Sequence, residues 1–239
     1  PVNGLLTSLS TNYNRRNKNV HLYELANIYL PKALPLKELP EERQQFVLGF
    51  YGEGDFYTMK GAAEEFLKKL GLRKKVHYDP QAGKTFLHPG RQALIVYEGE
   101  TLGYLGELHP QVAENYAIGE KTYLAVLDLP AVMPLATFDR HYEGIARFPA
   151  ITRDISLVMK KEINVGQIED VIEKNGGGIL ESYQLFDMYE GNQILPGFKS
   201  VAYTITFRDR ERTLEDKHVT EVMERILKGL AELGIELRQ

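Results

Sequence analysis

The chain has 239 residues, 43% hydrophobic and 26% charged, with a net charge of −4 and no cysteine. That composition suits one large or two ordinary globular domains, excludes disulfides and thiolate metal sites, and argues against a partner held by bulk positive charge, because nonspecific phosphate binding needs a basic surface. No apolar run reaches membrane-spanning length and the amino end lacks a signal-peptide core, so a soluble cytoplasmic chain without membrane contact is expected; Pro1 in place of Met reads as a piece of a longer protein.

Residues 4–17 (GLLTSLSTNYNRRN) place Leu5, Leu6, Leu9 and Tyr13 at helical spacing. Residues 20–30 (VHLYELANIYL) predict a strand that is apolar on both parities and therefore interior. Pro31, Pro35 and Pro40 mark a loop that the charged run 41–43 (EER) closes, and 46–51 (FVLGFY) predict a buried strand. In 55–71 (DFYTMKGAAEEFLKKLG), Met59, Ala62, Ala63, Phe66, Leu67 and Leu70 make one helical stripe, with Gly71 as its stop. Strands follow at 75–78, 91–98 and 101–107, the last two joined by a tight hairpin at Gly99-Glu100. His109-Pro110 opens a helix through Tyr116, and 122–129 (TYLAVLDL) form another strand. The first part is thus an antiparallel α+β domain of at least six strands. An irregular stretch at 134–147 marks the boundary.

From Ile151 the order is strand, helix (165–174), Gly176-Gly177-Gly178, strand (179–189), strand (201–208), helix (214–233) and a short strand (235–237), which is βαββαβ, the ferredoxin-like arrangement. Both helices carry an apolar stripe that needs one face of a sheet. Alternation assigns to that face Ile155, Leu157 and Met159, then Phe186 and Met188, then Val201, Tyr203, Ile205 and Phe207. The opposite parity holds Asp154, Ser156 and Val158, then Leu185, Asp187 and Tyr189, then Ser200, Ala202, Thr204 and Thr206, a small and polar face with an aromatic at one end.

These motifs carry a family resemblance. FPAITRDISLV (148–158), LFDMYEG (185–191) and KSVAYTITFRDRERTLED (199–216) resemble the C-terminal anticodon-binding domain of bacterial phenylalanyl-tRNA synthetase beta subunits. NRRNKNVHLYELANIYL (14–30), FYTMKG (56–61), FLHPGRQA (86–93) and GYLGELHPQV (103–112) resemble the catalytic-like domain that precedes it. The resemblance implies an α+β chain in two parts: a class II synthetase-like, non-catalytic antiparallel domain at residues 1–140 and a ferredoxin-fold anticodon-binding domain at 147–239. It further implies a heterotetrameric ligase that uses ATP and Mg to join phenylalanine to its tRNA, with the active site in the alpha subunit and an editing domain elsewhere in the beta subunit. This stretch is then expected to dock the alpha subunit and to read the tRNA(Phe) anticodon, binding no cofactor or metal itself.

The residues themselves point the same way. A class II core needs arginines where phosphate charge develops, yet none follows Glu107 in GYLGELHP. His88, Arg91, Glu107 and His109 lack the HxxxH or HExxH spacing of a metal site and read as structural, and Gly176, Gly177 and Gly178 lack the order of a phosphate cradle. Single-stranded RNA is recognised by stacking splayed bases on aromatics and bonding their edges. Tyr189 offers the stack; Asp187, two residues away on the same parity, is an acceptor suited to the N1–H and N2–H donors of guanine, the first base of a GAA anticodon; Ser200 can give to and accept from an adenine. The resemblance places anticodon contacts at these same motif positions. Arg208, Arg210 and Arg212 alternate with Asp209 and Glu211 and are expected to pair with them. Two other readings compete: a free-standing synthetase-derived regulatory or protein-interaction module without tRNA binding, and, more remotely, a self-contained amino-acid-activating enzyme.

Overall fold

A computed structural model describes residues 1–139, 142, 144–191 and 193–238. The chain divides into two units, Pro1–His141 and Tyr142–Gln239. The first runs α1 (Val2–Asn14), β1 (Val20–Leu30), β2 (Glu41–Tyr51), α2 (Phe56–Lys69), β3 (His77–Asp79), β4 (Leu87–Tyr97), β5 (Glu100–Leu108), α3 (Pro110–Asn115), β6 (Thr122–Asp128) and α4 (Leu129–Val132). Its strands form one sheet in the order β1-β2-β6-β5-β4-β3, with every neighbouring pair antiparallel.

β6 shows why this sheet is buried on both sides. Its near-continuous apolar run sends Tyr123, Ala125 and Leu127 to one face, where they meet Met59, Ala63 and Leu67 of α2, and Leu124 and Val126 to the other, where they meet Leu5, Leu6 and Leu9 of α1. α2 starts at a capping box: the Thr58 amide donates to the Asp55 carboxylate (2.9 Å) while the Asp55 amide donates to Thr58 Oγ1 (3.2 Å). Of the stripe read from the sequence, Met59, Ala63 and Leu67 are buried, Phe66 and Leu70 half-buried, and Ala62 at its margin is exposed.

Three expectations for this unit change. β1 is an edge strand, and its odd-numbered residues Tyr23 (71% exposed), Leu25 and Tyr29 face outward; only the other parity, led by Val20 and Leu22, packs toward α1. Two apolar parities require two covers, and alternation cannot say whether the second belongs to the same chain. The EER run does not close a loop but begins β2, which pairs with β1 from Val20↔Tyr51 to Leu30↔Glu41. Since β2 pairs with β6 only over Gln45–Tyr51, the far ends of β1 and β2 project as a two-stranded ribbon. The β4–β5 hairpin turns at Glu98-Gly99, one residue earlier than expected, with φ of 50° and 87° and Tyr97 opposite Glu100.

The second unit runs β7 (Ile151–Lys160), α5 (Val165–Gly176), β8 (Leu180–Tyr189), β9 (Phe198–Phe207), α6 (Asp216–Glu232) and β10 (Glu236–Leu237). The sheet order is β10-β7-β9-β8, all antiparallel, so the βαββαβ expectation holds. Both helices lie on one face. α6 buries Val219, Val222, Met223, Ile226 and Leu230 against Ile155, Leu157, Met159, Val201, Tyr203, Ile205 and Phe207, and each such large side chain contributes roughly 1.5–3 kcal/mol.

β8 departs from simple alternation. Leu185 pairs with Tyr203 and Asp187 pairs with Ala202, so Phe186 is an extra residue in a β-bulge. The expected assignment of Leu185 to the open face is therefore wrong: with Tyr183 it packs on the core. Phe186, expected in the core, is 56% exposed, and Met188, though opposite core residue Val201, is 51% exposed at the sheet edge.

Candidate nucleic-acid interface

The bulge determines which side chains reach the open face of the second sheet. Without it, Leu185 and Asp187 would share a parity; with one extra residue between them, Leu185 turns to the helices and Asp187 to the open side. The register then aligns two rows across the strands: Tyr189 opposite Ser200, which lies opposite Val158, and Asp187 opposite Ala202, which lies opposite Ser156. Asp187, Tyr189 and Ser200, the three residues singled out from the sequence, are brought together on one face.

Their surroundings differ. Asp187 is exposed, and its carboxylate has no hydrogen-bond or ion-pair partner among the described residues, leaving its acceptor capacity free for a donor from outside. Tyr189 is half-buried, with its hydroxyl tight against Gly191: a Cβ there would lie 2.2 Å from Tyr189 Oη, so only glycine leaves the ring this position. Ser200 is 4% exposed. One row along, Thr204 Oγ1 donates to Asp154 Oδ1 at 2.6 Å, holding the polar face in register.

Two neighbours of these residues escaped the sequence reading. The Arg238 amide donates to Ser156 O (2.8 Å), its guanidinium carbon stands 5.7 Å from the Tyr189 ring centroid, and its Nη2 donates to Gln193 Oε1 (3.1 Å). β10 and β8 are opposite edges of the sheet. Arg238 and Tyr189 therefore approach each other across the two central strands, with buried Ser200 and Ala202 between the edges. This cation–π contact supplies positive charge beside an aromatic face. Extending the β10 alternation by one step from Glu236 would have found Arg238; nothing local in the sequence marks Gln193. Lys161 and Glu190 form an ion pair at 2.6 Å. Arg212 pairs with Asp209 as expected, whereas Arg208 reaches across to Glu181 of β8 (2.8 Å) and to the Phe148 carbonyl.

In the first unit, the cluster at His88, Arg91, Glu107 and His109 is internally bonded. Arg91 Nη1 donates to both carboxylate oxygens of Glu107 (2.8 and 2.9 Å), whose side chain is 6% exposed. His88 Nδ1 accepts from the Gly90 amide and His109 Nδ1 accepts from the Gln111 amide as the cap of α3. Among the described residues, no group of three or more His, Asp or Glu is arranged to hold a metal ion. Gly103 and Gly106 are not turn residues; both lie within β5, where a Cβ at Gly103 would sit 2.0 Å from the Val126 carbonyl oxygen. Gly177 ends α5 with a positive φ of 64°, a backbone conformation open to glycine.

Residues 2–129 match the family model described as the phenylalanyl tRNA synthetase beta chain CLM domain, and residues 146–238 match the ferredoxin-fold anticodon binding domain. The chain is 39% identical over 238 residues to the phenylalanine–tRNA ligase beta subunit of Clostridium acetobutylicum, 41% over 235 to that of Clostridium tetani, and 38% over 248 to that of Bacillus cereus, covering 98–99% of this chain in each case. It spans about 30% of the length of these curated relatives. Two solved structures of pyrrolysyl-tRNA synthetase from Desulfitobacterium hafniense overlay on 55% of this chain and 47% of theirs, with 12% and 13% identity and TM-scores of 0.45 and 0.42.

Proposed function

Because the chain belongs to the phenylalanyl-tRNA synthetase beta-chain family, we propose that it is the C-terminal part of a beta subunit in a ligase attaching phenylalanine to tRNA(Phe), and that its second unit reads the anticodon through Asp187, Tyr189 and Ser200. The observation that carries this reading is the free Asp187 carboxylate beside a half-open Tyr189 ring on one sheet face. A base stacked on Tyr189 presents its edge along the strand toward Asp187, and a guanine offers that acceptor two donors. Ser200, buried opposite Tyr189, can bond only a group that reaches in beside that residue. Arg238 adds a cation where a nucleotide phosphate or base face arrives.

In this reading the first unit is a non-catalytic scaffold that docks the alpha subunit, and the outward row Tyr23, Leu25 and Tyr29 on edge strand β1 is the surface offered to it. ATP and Mg are handled by the partner; the bonded state of His88, Glu107 and His109 leaves them poorly suited to hold either. Localisation in the cytoplasm accords with this role, and among the described residues no helix is long and apolar enough to cross a membrane.

The test is aminoacylation by the assembled synthetase. Tyr189→Ala is expected to raise KM for tRNA(Phe) roughly five- to hundredfold, as loss of one base stack implies, and Asp187→Ala to raise it while relaxing the preference for guanine at the first anticodon position. Phenylalanine-dependent pyrophosphate exchange, which needs no tRNA, stays at the wild-type rate. Unchanged tRNA kinetics in both variants would remove these residues from the anticodon site.

A further inference from the structure

Phe186 is surplus to the sheet that contains it. The bulge interrupts the β8 ladder between two regular pairs, Leu185↔Tyr203 and Asp187↔Ala202, and the extra residue is a large apolar side chain left 56% exposed and outside the core cluster. A bulge sacrifices ladder bonding, and an exposed phenylalanine forfeits burial; bulges are common at sheet edges, where β8 lies, and beside binding sites, where they re-aim a side chain. Phe186 is adjacent to Asp187 and three residues from Tyr189, about 10 Å along the strand. That spacing suits successive splayed nucleotides, each with its own flat partner.

We propose that Phe186 is a second stacking platform for the same RNA, holding the nucleotide next to the one on Tyr189. This rests on the anticodon reading of that sheet face and extends it past the three residues assigned there. A nucleobase is favoured over a protein side chain as occupant because Phe186 directly precedes Asp187 in the same exposed edge strand, within a unit matched by an anticodon-binding model. Every base has an apolar face, so the contact adds affinity without choosing sequence. Asp187 then reads the edge of the base stacked on Tyr189 while the neighbouring nucleotide is held on Phe186.

The experiment uses the assembled synthetase carrying Phe186→Ala, Phe186→Trp and, as a reference, Asp187→Ala, with KM and kcat measured for tRNA(Phe) and pyrophosphate exchange measured without tRNA. Phe186→Ala should raise KM for tRNA roughly tenfold with little change in kcat; Phe186→Trp, which retains a π face, should restore it; pyrophosphate exchange should not move. A normal KM in Phe186→Ala together with a raised KM in Asp187→Ala overturns the second platform and leaves the anticodon site standing. Loss of subunit assembly or pyrophosphate exchange in Phe186→Ala also overturns it, placing Phe186 against protein. Normal KM values in both Phe186→Ala and Asp187→Ala remove the anticodon reading along with this extension.

Discussion

Tyr203 and Tyr51 are both fully buried, but their hydroxyls fare differently. Tyr51 Oη donates to the Asn17 carbonyl at 2.9 Å, whereas Tyr203 Oη, in the core of the second unit, has no partner among the described residues. A buried polar atom without a partner carries its full desolvation cost, while a bonded one recovers part of it. Tyr203→Phe is therefore expected to leave the second unit equally stable or up to about 1 kcal/mol more stable, and Tyr51→Phe to cost the first unit about 1 kcal/mol. Urea midpoints, each read in the transition of its own unit, check the contrast; a clear loss in Tyr203→Phe would reveal a bonded hydroxyl. At this same scale, the placement of Asp187, Tyr189 and Ser200 on one sheet face was legible in the sequence from their parity. Arg238 was not, because its partner Tyr189 lies on the opposite edge of the sheet, 49 positions earlier in the chain.

Among the elements, α2 and α6 read directly from sequence because burial of one helical stripe leaves a helical period, and β6 because a short, near-continuous apolar run suits a strand covered on both faces. β8 did not, since a period of two has no memory across an inserted residue: alternation counted from Tyr189 sends Leu185 to the wrong face. The bulge makes an asymmetric prediction about deletions. Removing Phe186 restores regular alternation with Leu185 inward, Asp187 outward, Met188 inward and Tyr189 outward, so the sheet should fold with its register intact. Removing Met188 instead leaves Asp187 and Tyr189 as neighbours, and one must leave the open face. Backbone amide exchange across β8 and β9 should be close to wild type for the first deletion and broadly faster for the second; equal damage from both would mean that the bulge itself holds the sheet. β1 failed for a different reason. Its Tyr23, Leu25 and Tyr29 are as apolar as core residues, and an edge strand waiting for a partner has the same pattern as an interior one.

At the scale of the whole molecule, charge and tyrosine content set the pH response. Burial, aided by Glu64 beside Tyr78 and Glu173 beside Tyr183, pushes both hydroxyls well above their ordinary value, and burial does the same for Tyr203. A folded pKa raised above the unfolded value of 10.0 means that the stability contribution is complete below that pH and is lost as pH rises beyond it, because the unfolded chain then releases protons that the folded chain retains. Stability is expected to fall steeply above about pH 10, with a distinct step of tyrosinate absorbance, over and above that of the solvent-exposed tyrosines, coinciding with loss of helix signal. Full tyrosinate absorbance while the fold persists would show Tyr78, Tyr183 and Tyr203 to be open to solvent. The net charge of −4 gives no bulk attraction for phosphate, in keeping with the proposed local site of one carboxylate, two rings and one guanidinium.

Periodicity by itself determined the two-part α+β plan, the ferredoxin-like order of the second unit and the side-chain types on its polar face, because hydrophobic spacing records which surfaces of a strand or helix must leave water. Tertiary structure alone decided three things: that Phe186 is bulged outward, that Arg238 meets Tyr189, and that β1 lies at an edge. Each depends on which strand lies beside which, and pairing between segments far apart in the chain is set by the packing of the whole sheet rather than by any local run of residues.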